Sequence, residues 1–269
     1  MSNRVSEPET FMARVDGYVL RVAHWNRQHS DQPALLFFNG VGANIELVAG
    51  IGEMFPDRNI VIFDMPGIGL SPLSQWPYSP WLAARWGAKI LDRLEYDMVD
   101  VIGMSWGGAL AQQFAHQYDR RVNSLVLCAT STGIAGAVEL PSSLTQMFGL
   151  SSLISYDAMQ ENLMKIYGEV ADPNASDHFD RLTMPHVGGV TYQLMAFSAW
   201  NSLSFAPMLR TRTLVLSGED DRIVPKSNAV LLHAAIPDAE LHIVDDGGHM
   251  FFVTHAEEVA DRISVFHAN

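Results

Sequence analysis

The chain has 269 residues, of which 48% are hydrophobic and 17% are charged, so it can form one globular α/β domain with a large core. Its formal net charge of −13 argues against nucleic acid and anionic membrane surfaces as partners, because both attract basic patches. The single cysteine, Cys128, excludes an internal disulfide bond and a cysteine metal cluster.

The first ten residues are polar and lack the basic start and apolar block of a signal peptide. No stretch of the sequence approaches the roughly 18 consecutive apolar residues of a membrane span. We therefore expect a cytoplasmic protein with no membrane span.

In the first half of the chain, predicted strands alternate with predicted helices. An Asp-Gly turn joins two β-rich runs into a hairpin over residues 11–25. Residues 34–38 form a continuous apolar run, which is typical of a strand covered on both faces. Further buried strands are predicted over residues 59–63, over residues 99–104, where Asp100 interrupts the apolar run, and over residues 124–128. Helices are predicted over residues 45–54, 80–94 and 109–115. This alternation predicts a mostly parallel central sheet with helices on both faces and ligands at the carboxyl ends of its strands.

The pattern changes between residues 131 and 208, where no buried strand is evident. Residues 157–168 and 192–203 look helical, and prolines separate the pieces. Six of the 13 methionines fall here, more than the share of length, and methionine suits adaptable apolar surfaces: Met147, Met159, Met164, Met184, Met195 and Met208. We predict that residues 131–208 form a helical cap inserted into a core made of residues 1–130 and 209–269.

After the cap, the alternation of strands and helices resumes. Strands are predicted over residues 213–216 and 240–244, and helices over residues 227–235 and 256–266. A loop rich in acidic residues follows the first of these strands, and a Gly-rich loop follows the second. Both loops are therefore expected at the edge of the sheet where ligands bind.

Between the strand at 99–104 and the next helix the chain reads Gly103-Met104-Ser105-Trp106-Gly107, a Gly-x-Ser-x-Gly pattern. In this context the pattern is typical of a sharp turn that pushes a serine hydroxyl out at its tip. The glycines are needed because the serine backbone is strained and a side chain would collide across the turn. The start of the following helix favours developing negative charge. Ser105 is therefore the candidate nucleophile.

A serine hydroxyl needs an adjacent base, and the base needs an orienting carboxylate. His249 is the best placed of the ten histidines, because it lies in the Gly-rich loop directly after a predicted strand. Asp220 and Asp221 both follow a strand, and Asp221 is the better candidate, whereas Asp220 is expected to face solvent or stabilise the turn. Ser105, Asp221 and His249 then follow one another in the chain order that accompanies this turn motif.

An oxyanion site needs two N–H groups aimed at one point. One is expected from Trp106, the residue after the nucleophile. The other is expected from Val41, since the glycines around it let the backbone turn its N–H inward. Asn39 and Gly40, in the same loop, are expected to bind substrate. A phosphate-binding role for this loop is discounted because it lacks the lysine and the spacing of a P-loop.

Other chemistries have little support in the sequence. No pair of histidines four residues apart lies on one helix face, and there is no cysteine cluster, so we predict no metal site. Serine rather than aspartate at the turn argues against dehalogenase or epoxide-hydrolase chemistry, which needs a carboxylate nucleophile.

Four segments carry a resemblance to a known family: residues 36–48, 63–67, 101–116 and 236–247. Through them the chain resembles the α/β-hydrolase superfamily over nearly its whole length, and more narrowly the intracellular medium-chain-length polyhydroxyalkanoate depolymerases. The resemblance implies an α/β-hydrolase fold and carries the family's triad onto Ser105, Asp221 and His249. The oxyanion site would be the backbone of Val41 and Trp106.

The resemblance also implies hydrolysis of the ester bonds of stored 3-hydroxyalkanoate polyesters, with no metal or organic cofactor. The substrate would be an apolar polyester or its oligomers, and the surface of polyester storage granules is a candidate partner. Two features depart from the family's pattern. Gly247-Gly248 is one glycine longer than expected, which could move the base, and the cap, which sets substrate choice, matches least.

Two other classes of function stay open at this point, because the superfamily is functionally broad. One is a small-molecule carboxylesterase, a lipase or a carbon–carbon bond hydrolase that uses the same triad. The other is a binding protein of hydrolase fold without catalytic activity, against which the complete serine, aspartate and histidine set argues.

Overall fold

The computed structural model describes residues 7–26, 30–133 and 183–268. Within them, eight strands form one sheet: β1 (Glu9–Val15), β2 (Tyr18–Trp25), β3 (Ala34–Phe38), β4 (Ile60–Phe63), β5 (Val99–Met104), β6 (Val122–Cys128), β7 (Thr213–Gly218) and β8 (Ala239–Val244). Their order across the sheet is β1-β2-β4-β3-β5-β6-β7-β8. Only the pairs β1–β2 and β2–β4 are antiparallel. The predicted mostly parallel sheet is confirmed.

Seven α-helices lie in the described residues: α1 (Ile51–Met54), α2 (Pro80–Arg93), α3 (Trp106–Gln117), α4 (Val187–Ser198), α5 (Lys226–Ala235), α6 (Phe251–Thr254) and α7 (Ala256–Ala268). Short 3₁₀ turns cover Ile45–Val48, Asp119–Arg121 and Ala206–Met208. None of the helices in these ranges is long and apolar enough to cross a membrane.

The helices cover both faces of the sheet. In β3, Leu36 and Phe38 pack with residues of α2, α3 and α5, whereas Leu35 and Phe37 pack on the opposite face with residues of α1, α6 and α7. Successive side chains of a strand point to opposite faces, so a strand covered on both sides is apolar at nearly every position. The doubly covered sheet holds the carboxyl ends of β3, β4 and β5 side by side at one edge.

The helix predicted over residues 45–54 is wrong as a single element. The chain forms the 3₁₀ turn Ile45–Val48, and α1 begins only at Ile51. Gly50 and Gly52 weaken a continuous helix, because glycine loses more backbone entropy than other residues. Gly52 is needed for packing, since a side-chain carbon there would lie 2.9 Å from Cδ1 of the Trp25 ring.

The predicted cap, residues 131–208, is described at residues 131–133 and 183–208. Its predicted helix over residues 157–168 lies outside the described residues. The second predicted helix, residues 192–203, is displaced, because α4 begins five residues earlier, at Val187. The His186 ring caps this start by accepting a hydrogen bond from the Gly188 N–H at 3.0 Å.

Candidate active site

Ser105 lies at the tip of the turn between β5 and α3, at the carboxyl edge of the sheet. Its backbone has φ 54° and ψ −120°, a conformation that non-glycine residues rarely adopt. The Ser105 N–H donates a 2.8 Å hydrogen bond to the Cys128 carbonyl, which fixes the turn against β6. The flanking strands and helix therefore hold the Ser105 backbone in this strained conformation, in which its hydroxyl projects from the turn.

The two glycines of the motif permit this turn. A side-chain carbon at Gly103 would lie 2.6 Å from Cβ of Ala111 in α3. One at Gly107 would lie 2.6 Å from the Asn39 carbonyl oxygen, in the loop after β3. Contacts this short are incompatible with a side chain, so both positions require glycine for α3 to pack closely on β5 and β3.

His249 and Asp221 reach Ser105 in one chain of hydrogen bonds. His249 Nε2 lies 3.1 Å from Ser105 Oγ, and its Nδ1 lies 2.8 Å from Asp221 Oδ2. The carboxylate only accepts, so Nδ1 carries the proton and Nε2 is left to accept from the serine hydroxyl. Asp221 and His249 are each only 4% exposed, which shields both contacts from water. This is the arrangement that activates a serine for nucleophilic attack.

Asp221 is held by the backbone that follows it. Its Oδ1 accepts 2.8 Å hydrogen bonds from the N–H groups of Ile223 and Val224. Oδ2 is thereby left facing the imidazole. Asp220 is exposed, so it lies outside this hydrogen-bonded chain.

The additional glycine before His249 is accommodated in the loop after β8. The Asp220 N–H donates a 2.9 Å hydrogen bond to the Gly247 carbonyl, which ties this loop to the loop after β7. Gly248 is buried, and its carbonyl accepts a 3.2 Å hydrogen bond from the Phe251 N–H. The structure nevertheless places the His249 ring within hydrogen-bonding distance of both Asp221 and Ser105.

The loop after β3 lies beside the nucleophile. A side-chain carbon at Gly40 would lie 3.8 Å from Ser105 Cβ. The Asn39 side chain shapes this loop, since its Oδ1 accepts from the Gly40 N–H at 2.9 Å and its Nδ2 donates to the Asn44 carbonyl at 2.9 Å. Contact of Asn39 and Gly40 with substrate stays a prediction.

Two backbone N–H groups near the serine are available as donors. Within the described residues, the N–H groups of Val41 and Trp106 donate no hydrogen bond. Trp106 is the first residue of α3, so its N–H is one of the free donors at a helix N-terminus. Their joint use as an oxyanion site stays a prediction.

Gln193, on α4, connects both parts of this site, and sequence reasoning missed it. Its Oε1 accepts a 2.9 Å hydrogen bond from the Gly42 N–H, next to Val41. Its backbone carbonyl accepts a 2.9 Å hydrogen bond from the Trp106 indole. Gln193 is 1% exposed and lies 151 residues from Gly42 along the chain. A lone glutamine in an apolar helix carries no sequence signal for such a contact.

Asp64, after β4, fixes the chain that follows the loop at Val41. Its Oδ1 accepts a 2.8 Å hydrogen bond from the Ile45 N–H. Burial raises the pKa of this carboxyl to about 7, against the opposing effects of the Ile45 N–H and the Arg21 guanidinium at 3.6 Å. Asp64 therefore anchors the backbone at Ile45, at the end of the loop that contains Val41, and is separate from the hydrogen-bonded chain to Ser105.

Cys128 and possible metal-binding side chains lie outside this chain of hydrogen bonds. Cys128 is free and fully buried, and burial raises the pKa of its thiol, as expected for an inert core residue. Among the described residues, no group of three or more histidine, cysteine, aspartate or glutamate side chains is arranged to hold a metal ion.

Known proteins share this arrangement of the chain. A model of the alpha/beta hydrolase fold matches residues 33–256. The chain is 41% identical over 236 residues to a poly(3-hydroxyalkanoate) depolymerase of Ectopseudomonas oleovorans, and the match covers 86% of this chain and 83% of that protein. It is 28% identical over 240 residues to a 2-hydroxy-6-oxo-2,4-heptadienoate hydrolase of Pseudomonas putida, over 80% of this chain and 82% of that protein.

A solved structure shows the same fold at lower sequence identity. The enol-lactonase of Burkholderia xenovorans superposes with a TM-score of 0.84 and 18% identity, over 96% of this chain and 100% of that one. At this identity the likeness concerns the fold alone.

Proposed function

The chain belongs to the α/β-hydrolase family, and on that premise we propose that it is a serine hydrolase that cleaves the ester bonds of medium-chain-length poly(3-hydroxyalkanoate) or its oligomers. The observation that carries the proposal is the continuous chain of hydrogen bonds from Ser105 through His249 to Asp221. The 41% identity to a poly(3-hydroxyalkanoate) depolymerase supports the substrate class.

In the first half of the reaction, Ser105 Oγ attacks the ester carbonyl carbon as His249 Nε2 takes the hydroxyl proton. The carbonyl π pair moves onto oxygen, and the N–H groups of Val41 and Trp106 hold the resulting oxyanion. Asp221 stabilises the imidazolium through Nδ1. When the tetrahedral intermediate collapses, the C–O bond to the alcohol breaks and the alkoxide receives the proton from His249.

In the second half, water hydrolyses the acyl-enzyme through the same groups. His249 takes a proton from water, and the hydroxide attacks the acyl carbon. The bond to Ser105 Oγ then breaks, and the proton returns to the serine. The net change is one ester bond and one water consumed, with one carboxylic acid and one alcohol formed.

We propose that residues 131–208 act as a cap that selects an apolar substrate. Within its described part, α4 packs on the loop after β3 and on the loop after β4. A side-chain carbon at Gly42 would lie 3.6 Å from Val190 Cγ2, and one at Gly189 would lie 2.7 Å from the Gly67 carbonyl oxygen. Residues 183–209 contain no Asp, Glu, Lys or Arg, which suits a neutral, water-insoluble substrate. The reaction is proposed to take place in the cytoplasm, at polyester storage granules.

A panel of substrates tests this proposal. Purified protein is given p-nitrophenyl esters of rising acyl length, a latex of medium-chain-length poly(3-hydroxyalkanoate), and a dienoate of the kind cleaved at a carbon–carbon bond. We expect ester hydrolysis and latex clearing, both abolished by Ser105→Ala. Turnover of short esters with no clearing of latex would refute the polyester assignment.

A carbon–carbon bond hydrolase is the second candidate, favoured by the 28% identity to the 2-hydroxy-6-oxo-2,4-heptadienoate hydrolase. Faster turnover of the dienoate than of any ester in the same panel would establish it in place of the esterase. Failure of a fluorophosphonate to label Ser105 would instead favour a non-catalytic binding protein.

A further inference from the structure

The loop between β4 and α2 exposes three large apolar side chains at intervals of three residues. The exposed fractions are 64% for Leu70, 39% for Leu73 and 68% for Trp76. Pro72 and Pro77, beside them, are also exposed. Single exposed apolar residues are common on protein surfaces, whereas clusters of them are typical of interaction sites. We call Leu70, Leu73 and Trp76 the apolar loop.

The backbone beneath the apolar loop is well anchored. Ser71 Oγ donates a 2.8 Å hydrogen bond to the Asp64 carbonyl and accepts one of 2.8 Å from the Arg21 N–H. Ser74 Oγ donates to the Trp76 carbonyl at 2.8 Å. Tyr78, where the loop leads into α2, is 4% exposed. The three apolar side chains are therefore presented to solvent by an ordered segment, which lowers the entropic cost of binding.

The apolar loop contacts α4, the helix that also borders the candidate active site. The Gly67 carbonyl accepts a 2.9 Å hydrogen bond from the His186 N–H, at the start of α4. The Leu73 side chain packs beside Gly188, since a side-chain carbon there would lie 3.1 Å from Leu73 Cδ2. The same helix α4 carries Gln193, which binds the loop at Val41. One helix thus contacts both the apolar loop and the predicted oxyanion site.

The two described segments that meet at the apolar loop carry no formally charged residue. Residues 65–84 and residues 183–209 contain no Asp, Glu, Lys or Arg, in a chain with 30 acidic and 17 basic residues. The second segment exposes a further apolar side chain, Met195, at 51%. A phospholipid surface presents charged headgroups, and a protein partner presents a polar rim. An aliphatic polyester presents alkyl chains and neutral ester groups, to which an uncharged apolar loop is complementary.

We propose that the apolar loop is a docking surface by which the protein adsorbs to amorphous, water-insoluble polyester, so that the active site lies against the polymer. This inference rests on the proposed function and names the physical form of the substrate at that site. Adsorption is a property of the loop and is separate from the reaction at Ser105.

The test measures adsorption and hydrolysis separately. Adsorption is measured by co-sedimentation with poly(3-hydroxyalkanoate) latex, with Ser105→Ala in every protein so that the polymer is not digested. The test variant is Leu70→Ser/Leu73→Ser/Trp76→Ser, and Trp76→Ser alone provides a milder change. Val230→Ser/Val265→Ser is the matched control, since these side chains are 52% and 53% exposed on α5 and α7.

We expect the triple variant to lose at least tenfold in latex affinity, the single variant about threefold, and the control nothing. With Ser105 restored, hydrolysis of a soluble short-chain p-nitrophenyl ester by the triple variant should stay within twofold, whereas latex clearing falls. Unchanged adsorption of the triple variant, or an equal loss in the control, would overturn the docking surface.

If the protein binds phosphatidylcholine vesicles through the apolar loop but does not bind latex, the loop is a membrane-binding surface and the proposed polyester docking surface is wrong. If Ser105 protein hydrolyses no ester at all, the proposed function fails, while the adsorption result still decides the role of the loop.

Discussion

Replacing Gln193 by methionine removes a single acceptor from the wall of the candidate active site. Methionine keeps the length and volume of the side chain but leaves the buried Gly42 N–H without the oxygen that now lies 2.9 Å away. An unsatisfied buried N–H costs about 1–3 kcal/mol. We expect the Val41–Gly42 peptide to shift toward another acceptor, which would misalign the Val41 N–H. Loss of one oxyanion donor lowers kcat by about 10²–10³ in other hydrolases.

For Gln193→Met we therefore predict a decrease in kcat of about 10- to 100-fold, with KM changed less than threefold and stability lowered by about 1–3 kcal/mol. The assay is steady-state hydrolysis of a p-nitrophenyl ester, with urea unfolding in parallel. Gln193→Glu keeps an acceptor oxygen and should recover part of kcat.

Gln113→Met is the matched control for this prediction. Gln113 Oε1 accepts a 3.0 Å hydrogen bond from the Trp200 indole, which is also buried, and within the described residues it makes no hydrogen bond with the loop at Val41. Gln113→Met should lose similar stability and keep kcat. Equal losses of kcat in both methionine variants, or none in Gln193→Met, would refute this positioning role.

Three further predictions concern other groups of the structure. Asp221→Asn should lower kcat by about 10³–10⁴, because an amide favours the wrong imidazole tautomer; a loss below tenfold in ester hydrolysis would contradict the role of Asp221. Arg58→Met removes the ion-pair partner of the Asp100 carboxylate, which is 1% exposed and then keeps only hydrogen bonds from Asn123 and Ser124. The free energy of unfolding in urea should fall by about 3–5 kcal/mol and be largely recovered in Arg58→Met/Asp100→Leu; an equally unstable double variant would argue against the pair. Burial lowers the pKa of His267 to about 4, so between pH 6.5 and 4 the unfolded chain binds a proton that the folded chain does not, and stability should fall as pH falls through this window. His267→Gln should flatten that fall in urea unfolding at pH 7, 6 and 5, and an unchanged slope would contradict the assignment.

Local sequence patterns were sufficient for most of the sheet and for the turn at Ser105. Largely apolar runs identified β3 to β6, because a strand covered on both faces is apolar at most positions. The glycines of the turn were predictable for a local reason, since Gly103 and Gly107 lie where α3 crosses close to β5 and β3. Asp221 and His249 could be selected because each follows a strand that ends at the same edge.

Contacts between residues far apart in the chain could not be predicted in the same way. Asp100 interrupts an apolar strand, and its partner Arg58 lies 42 residues earlier, next to no recognisable motif. Gln193 lies on a helix whose start was misplaced, because Gly188 and Gly189 weaken the helical pattern. Glycine is needed at position 189 because of a tertiary contact, since Gly189 packs directly against Gly67.

The most direct test of the account is to trap the acyl-enzyme. Protein is mixed with a soluble oligomer of medium-chain-length 3-hydroxyalkanoate, quenched in acid within milliseconds, digested and analysed by peptide mass spectrometry. We predict that the peptide containing Ser105 gains the mass of a hydroxyacyl group, and that Ser105→Ala shows neither adduct nor product. Product release with no adduct on Ser105, together with turnover by Ser105→Ala, would contradict it.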